Sequence, residues 1–396
     1  MLNRARPTAA TALPLLALLW GCELRANTPT ADEISTVDQL ESSRASPGDV
    51  EPVLISSPKE PLRAFRLFPA PFYTPETSIG AAMVTAFYFR FADHPDARTS
   101  SNTSLLGATL NKQFSLTDRG DFFFGDNAYY LFYLAQARLW PDSYYGIGND
   151  TLKEHRERFE NQSIYLTARF QKQFLTSWYF GPYLETRYYH PTALEKNGQL
   201  VTGTIPGAET NLLGAVGLAL SWDTRSSSTF PLSGIFHEFW TGWNQDLRGG
   251  PYNAMRADLD LKKYASLSDD HVFAFRLRAA TTFGPPGNQP FTAMSPLGGE
   301  KRLRGIVEPR YRDRSSIFSI AEYRLQVSRR WGAAAFAGLG QAASDLLSLR
   351  IGGFHPTAGA GIRYAIIPEE RVNLRLDVAT SDSGQIETYI SAGEAF

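Results

Sequence analysis

Met255-Arg256-Ala257-Asp258-Leu259-Asp260-Leu261-Lys262 is the stretch on which the fold turns. Successive side chains of a strand leave opposite faces. Met255, Ala257, Leu259 and Leu261 therefore point one way, and Arg256, Asp258, Asp260 and Lys262 the other. The apolar period is two, where an amphipathic helix needs 3.6. Were the apolar side hydrocarbon, a one-residue slip would cost about 2–4 kcal/mol for each basic residue near the midplane. The same alternation recurs outward from this segment. Ile164, Leu166, Ala168 and Phe170 oppose Tyr165, Thr167 and Arg169, and Phe273, Phe275 and Leu277 oppose Arg276 and Arg278. Val372, Leu374, Leu376 and Val378 oppose Asn373, Arg375 and Asp377.

A soluble antiparallel sheet also alternates, so length and number decide. About sixteen such segments run from about residue 64 to 396, most of them 10 to 14 residues long. Soluble strands average about 5–6 residues, while a tilted strand needs about 9–11 to cross a bilayer. The connections alternate too. Long ones fall at about 141–160, 191–208 and 285–315, against tight turns such as Gly125-Asp126-Asn127 and Pro368-Glu369-Glu370. Two connections on the short side, near 92–101 and 223–232, are longer. Long loops at one rim and short turns at the other are the pattern of outer-membrane barrels. Lipid offers no hydrogen bonds, so a spanning sheet must close on itself.

The expectation is an all-β, sixteen-stranded antiparallel transmembrane β-barrel, closed, with a hydrated lumen. The lumen-facing charges are read as Arg256, Asp258, Asp260, Lys262, Arg276, Arg278, Arg324, Arg363 and Arg375. Tyr144, Tyr145, Trp178, Tyr179, Trp222, Trp240, Trp243 and Trp331 fall near expected strand ends and suit interfacial girdles.

Composition agrees. With 26 Phe and 18 Tyr but 4 Met, the 396 residues favour strands. The net charge of -1 does not give the basic surface a nucleic-acid partner needs. Arg4 and Arg6 precede an apolar run from Ala9 to Gly21, a signal-peptide pattern too short to span a bilayer as a helix. Residues 1–26 are accordingly read as a signal peptide, 27–63 as a disordered periplasmic linker and 64–396 as the barrel. Cys22, the only cysteine, ends the run as in a lipoprotein site, and cleavage after Ala26 is the alternative.

Several motifs, in order, resemble the bacterial surface-antigen family, the BamA/TamA-type outer-membrane assembly-factor barrels. They are Tyr73-Thr74-Pro75-Glu76-Thr77, Tyr145-Gly146-Ile147-Gly148-Asn149, Trp222-Asp223-Thr224-Arg225 and Pro231-Leu232-Ser233-Gly234. Leu297-Gly298-Gly299, Leu303-Arg304-Gly305-Ile306, Ala321-Glu322-Tyr323-Arg324, Gly359-Ala360-Gly361-Ile362-Arg363 and a terminal Phe396 complete the set. The resemblance implies that the sixth extracellular loop folds inward and that its Arg304 and Gly305 lock against a wall acid, matched by Glu322. It also implies that Phe396 acts as a C-terminal signal. Two positions depart from the pattern: Gly338 stands where a second acid is usual, and Ile306 where an aromatic is usual. Residues 27–63 are too few for a periplasmic POTRA domain, so the chain resembles a short branch of the family that lacks them.

Three functions compete. The resemblance implies a protein insertion or translocation factor of the bacterial outer membrane, acting through an opening seam between first and last strands. Its partners would be outer-membrane lipids, with nascent outer-membrane proteins or a secreted passenger as cargo, and separate periplasmic POTRA or chaperone proteins. The alternative is a passive pore or structural barrel, which mixed-sign inward charges suit. An enzyme is disfavoured: the six His are scattered, no Gly-x-Ser-x-Gly elbow occurs, and one Cys gives no zinc spacing. No catalytic residue, metal or cofactor is expected.

Overall fold

The computed structural model describes residues 63–74, 78–91, 97–368 and 371–396. The expected signal segment, Cys22 and all of the expected linker but Arg63 lie outside them. The first nine strands are β1 (Arg63–Thr74), β2 (Ser78–Phe89), β3 (Ser100–Thr109), β4 (Phe114–Phe124), β5 (Tyr129–Tyr144), β6 (Glu157–Leu175), β7 (Trp178–Thr192), β8 (Asn211–Asp223) and β9 (Gly234–Asp246). There follow β10 (Asn253–Ser268), β11 (His271–Phe283), the two-residue pair β12 (Ser295–Pro296) and β13 (Arg312–Asp313), and β14 (Ser315–Gln326). β15 (Trp331–Ala343), β16 (His355–Ile367), β17 (Val372–Ser381) and β18 (Ile386–Ala392) complete the chain.

All but β12 and β13 join one 16-stranded sheet in which each strand pairs with its sequence neighbour. That meander is what alternating segments joined by short turns dictate, because consecutive strands can pair antiparallel through a tight turn. The register sets Asp260 opposite Arg278, an unlike pair, and Lys262 opposite Arg276, a like pair, across β10 and β11. Arg276 then reaches diagonally to Asp260 and Arg278 to Asp258, each through two bonds of 2.7–2.8 Å.

The two faces of the sheet are inverted relative to a soluble protein. Asp258 is 2% exposed and Arg375 0%, while Leu218 is 50% and Val216 62% exposed. The 284–314 connection covers the polar face, called inner here, so charge is inside and grease outside.

The expected closure is corrected. Among the described residues β1 and β18 form the two edges and do not pair with each other. The cause lies at both ends. Pro69 and Pro71 remove two amide donors from β1. The last strand, expected over 386–396, stops at Ala392, and Gly393, at φ 76°, turns residues 393–396 onto the inner face. The sheet nevertheless curls until Ala64, Ala86 and Tyr88 pack against Ile367 and Val372, so the first hairpin meets the β16–β17 end through side chains.

The aromatic expectation is also corrected in part. Trp178 and Trp222 stack at 4.9 Å on the outer face, and Trp243 and Trp331 are about half exposed. Tyr144, Tyr145, Tyr179 and Trp240 are buried on the inner side instead. Tyr144 pairs with Glu157, Tyr179 pairs with Ser221 and Trp240 shares parity with Glu238 on β9, which turns these three inward, while Tyr145 lies just past the end of β5; nearness to a strand end reveals none of this.

Candidate functional site on the inner face

The long connection between β11 and β14 is held down by its own apolar residues. Leu297, Leu303, Ile306 and Tyr311 bury with Phe318 of β14 and Ala342 of β15. Ile306, where an aromatic was expected, fills this cluster at 3% exposure. Neighbouring connections clamp the loop from outside. Gly148 donates its amide to the Arg312 carbonyl at 2.8 Å, and Phe291 donates to the Pro206 carbonyl at 2.8 Å. Asn149 ties the same loop cluster to the start of β16 through the Gly353 carbonyl.

Fastened this way, Arg304 is driven fully into the inner face at 0% exposure. Its Nη2 donates to Glu322 of β14, and its Nη1 to Asp377 Oδ2 of β17 at 2.5 Å. The guanidinium carbon lies 3.5 Å from the centre of the Phe336 ring of β15. One fork thus bridges two carboxylates three strands apart while its plane rests on an aromatic, an arrangement a point-charge ammonium cannot reproduce. Gly305 sits at φ 99° and its amide donates to Tyr389 Oη of β18 at 3.1 Å. A Cβ there would lie 2.5 Å from the Thr380 carbonyl oxygen, so both conformation and space require glycine.

The two carboxylates are shared further. Glu322 also accepts from Arg324 Nε at 2.7 Å, and Asp377 from Arg363 Nη1 at 2.6 Å. Arg375 reaches Glu300 of the loop at 2.6 Å and Asp377 at 3.3 Å. Glu394, in the segment beyond β18, pairs with Arg363 at 3.1 Å and lies 3.8 Å from Arg324. The Phe396 carbonyl accepts from Arg324, and the Phe396 ring packs beside Ile320, Phe336 and Ala379. Four arginines and four carboxylates therefore tie the loop, the wall and the terminal segment into one buried network.

Sequence reasoning brought Arg304 to Glu322 but missed Asp377 as the second acid. Its signal was present: Asp377 shares inward parity with Arg375. The usual position, Gly338, cannot hold an acid in this fold, because a Cβ there would lie 2.7 Å from Leu303 Cδ1 and 2.7 Å from the Ser319 carbonyl oxygen.

The remaining inward charges form separate ion pairs. Lys262 lies 3.1 Å from Asp260 and 3.4 Å from Glu238, and Arg256 lies 3.9 Å from Asp258. At the opposite rim Arg225 forks onto Asp223 at 2.9 and 2.7 Å, and Arg98 joins the same carboxylate at 2.5 Å. No group of three or more His, Cys, Asp and Glu able to hold a metal ion occurs among the described residues.

A 16-stranded antiparallel meander with charge inside, grease outside and an inward arginine loop defines the class of outer-membrane β-barrels. The Omp85 superfamily domain matches residues 82–365, and the chain belongs to that superfamily of bacterial outer-membrane proteins. No curated protein matches it in sequence. Among solved structures it is similar to BamA from Haemophilus ducreyi lacking POTRA domains 1–3, at TM-score 0.50 and 10% identity, covering 84% of this chain and 70% of that one. CdiB from Acinetobacter baumannii gives TM-score 0.48 and 10% identity over 84% of this chain and 65% of the other, just under two thirds of its length.

Proposed function

We propose that the chain is a protein insertion or translocation barrel of the outer membrane whose seam between β1 and β18 opens to template an incoming strand. The observation that carries this reading is the pair of sheet edges left unpaired. β1 and β18 share no ladder among the described residues, and the curl is held by the Ala64, Tyr88, Ile367 and Val372 cluster. Side-chain packing can part without breaking a run of backbone bonds, and an exposed edge accepts a strand by augmentation. In this scheme the long connections face the cell exterior, and the Arg304–Glu322–Asp377 bridge keeps the sixth loop inside while the seam works. Phe396, on the terminal segment, serves as the signal for the chain's own assembly. The cargo is a nascent outer-membrane protein or a secreted passenger, delivered by separate periplasmic proteins, and no catalytic chemistry or cofactor is assigned.

A passive pore is less well supported, since the inner charges are ion-paired and the loop occupies the inner face. The test is a disulfide between cysteines placed on β1 and β18 in a strain that depends on the protein. Loss of cargo assembly that returns on reduction supports the seam. Full activity with the seam locked removes it.

A further inference from the structure

Among the described residues the outer face carries an ionisable acid between the strand ends at one place. Among the described strand residues whose parity points outward, the acids are Glu160, near the start of β6, and Asp118, midway along β4. Asp118 accepts from Ser104 of β3 and from Tyr133 Oη of β5, each at 2.5 Å, and from Asn102 Nδ2 at 3.3 Å. All three partners are neutral, so the carboxylate has hydrogen bonds and no counter-charge. An ionisable group facing hydrocarbon is costly and, by default, marks a partner.

The neighbouring surface is shaped to receive one. Asp118 pairs in register with Ala135, and from there a groove of about 610 Å³ crosses β5 to β9. Small residues at Ala135, Ala168 and Gly214 form its floor, and Leu184, Val216 and Trp243 its walls. Among the residues with described side chains, the outward strand cations Arg158, Lys172 and Lys263 stand at or near strand ends and not at mid-strand depth, which favours a different membrane protein over a second copy as the occupant.

We propose that the outer wall of β3 to β9 is a docking surface for another membrane-spanning protein, which sets a cationic side chain against Asp118 and an apolar ridge into the groove. The proposal rests on the outer face lying in lipid. Within hydrocarbon such a pair is screened far less than in water, so one charge discriminates between partners.

The test reconstitutes the Cys22→Ser chain, dye-labelled at Leu139→Cys, in phosphatidylethanolamine–phosphatidylglycerol vesicles. The probe is a designed leucine–alanine transmembrane helix bearing one central lysine, and its twin has leucine there. Energy transfer should show about tenfold tighter association of the lysine helix, and Asp118→Asn, which keeps the shape, should abolish the difference. Equal association of the two helices with the unsubstituted wall overturns the docking proposal alone, a comparison independent of how well the variant folds. Failure of the chain to float with vesicles overturns the lipid-facing reading and the docking proposal with it.

Discussion

At the scale of single residues the account rests on Arg304. Removing one partner of a buried ion pair strands the others, at about 3–5 kcal/mol. Arg304→Ala should therefore lower the unfolding free energy of the barrel, measured by urea titration, by about that amount, and Arg304→Lys should recover only a fraction, since an ammonium cannot fork between Glu322 and Asp377. A lysine variant as stable as the parent would contradict the bridge. Gly338→Asp is the second test. It supplies the acid usual in the family, yet it should destabilise by about 1–3 kcal/mol through overpacking against Leu303. Leu303→Ala in the same chain should relieve part of that cost. The arginine and its first acid were legible from a motif and from strand parity. The second acid was missed although Asp377 shares inward parity with Arg375, because the choice between it and position 338 depends on which inner-face volume Leu303 already fills.

At the scale of elements the decisive feature is the join between the first hairpin and the last strands. Ile367→Ala removes a side chain 1% exposed in the closing cluster. Spin labels on β1 and β18 should then show a broadened distance distribution, while a label pair across β14 and β15 stays sharp. If both pairs remain sharp, the cluster does not hold the sheet's curl. Strand identity and register were readable throughout, since a period of two is local and a slip exposes charge. The joining of the edges was not. It hinges on Gly393 turning the chain aside after Ala392, a conformational choice that an alternating pattern running to Phe396 conceals. The inward aromatics were missed for a related reason: Tyr179 and Trp240 lie among apolar residues of both faces, and only pairing with neighbours fixes their side.

At the scale of the whole molecule the sheet is an inside-out protein, with an ionic interior filled by one loop. Deleting residues 299–310 removes Arg304 and the apolar plug of Leu303 and Ile306. Planar bilayers should then show raised, long-lived conductance, and unchanged conductance would mean that the loop does not occlude a passage. The claim beneath every other is that alternate side chains face lipid and a hydrated interior. Single spin labels walked from residue 255 to 262 along β10 in vesicles measure this directly. Oxygen should broaden labels at 255, 257, 259 and 261, and a water-soluble nickel chelate should favour the even positions wherever the packed interior admits it. Oxygen accessibility that shows no period of two, or a chain that stays monodisperse in buffer without detergent, would contradict the account.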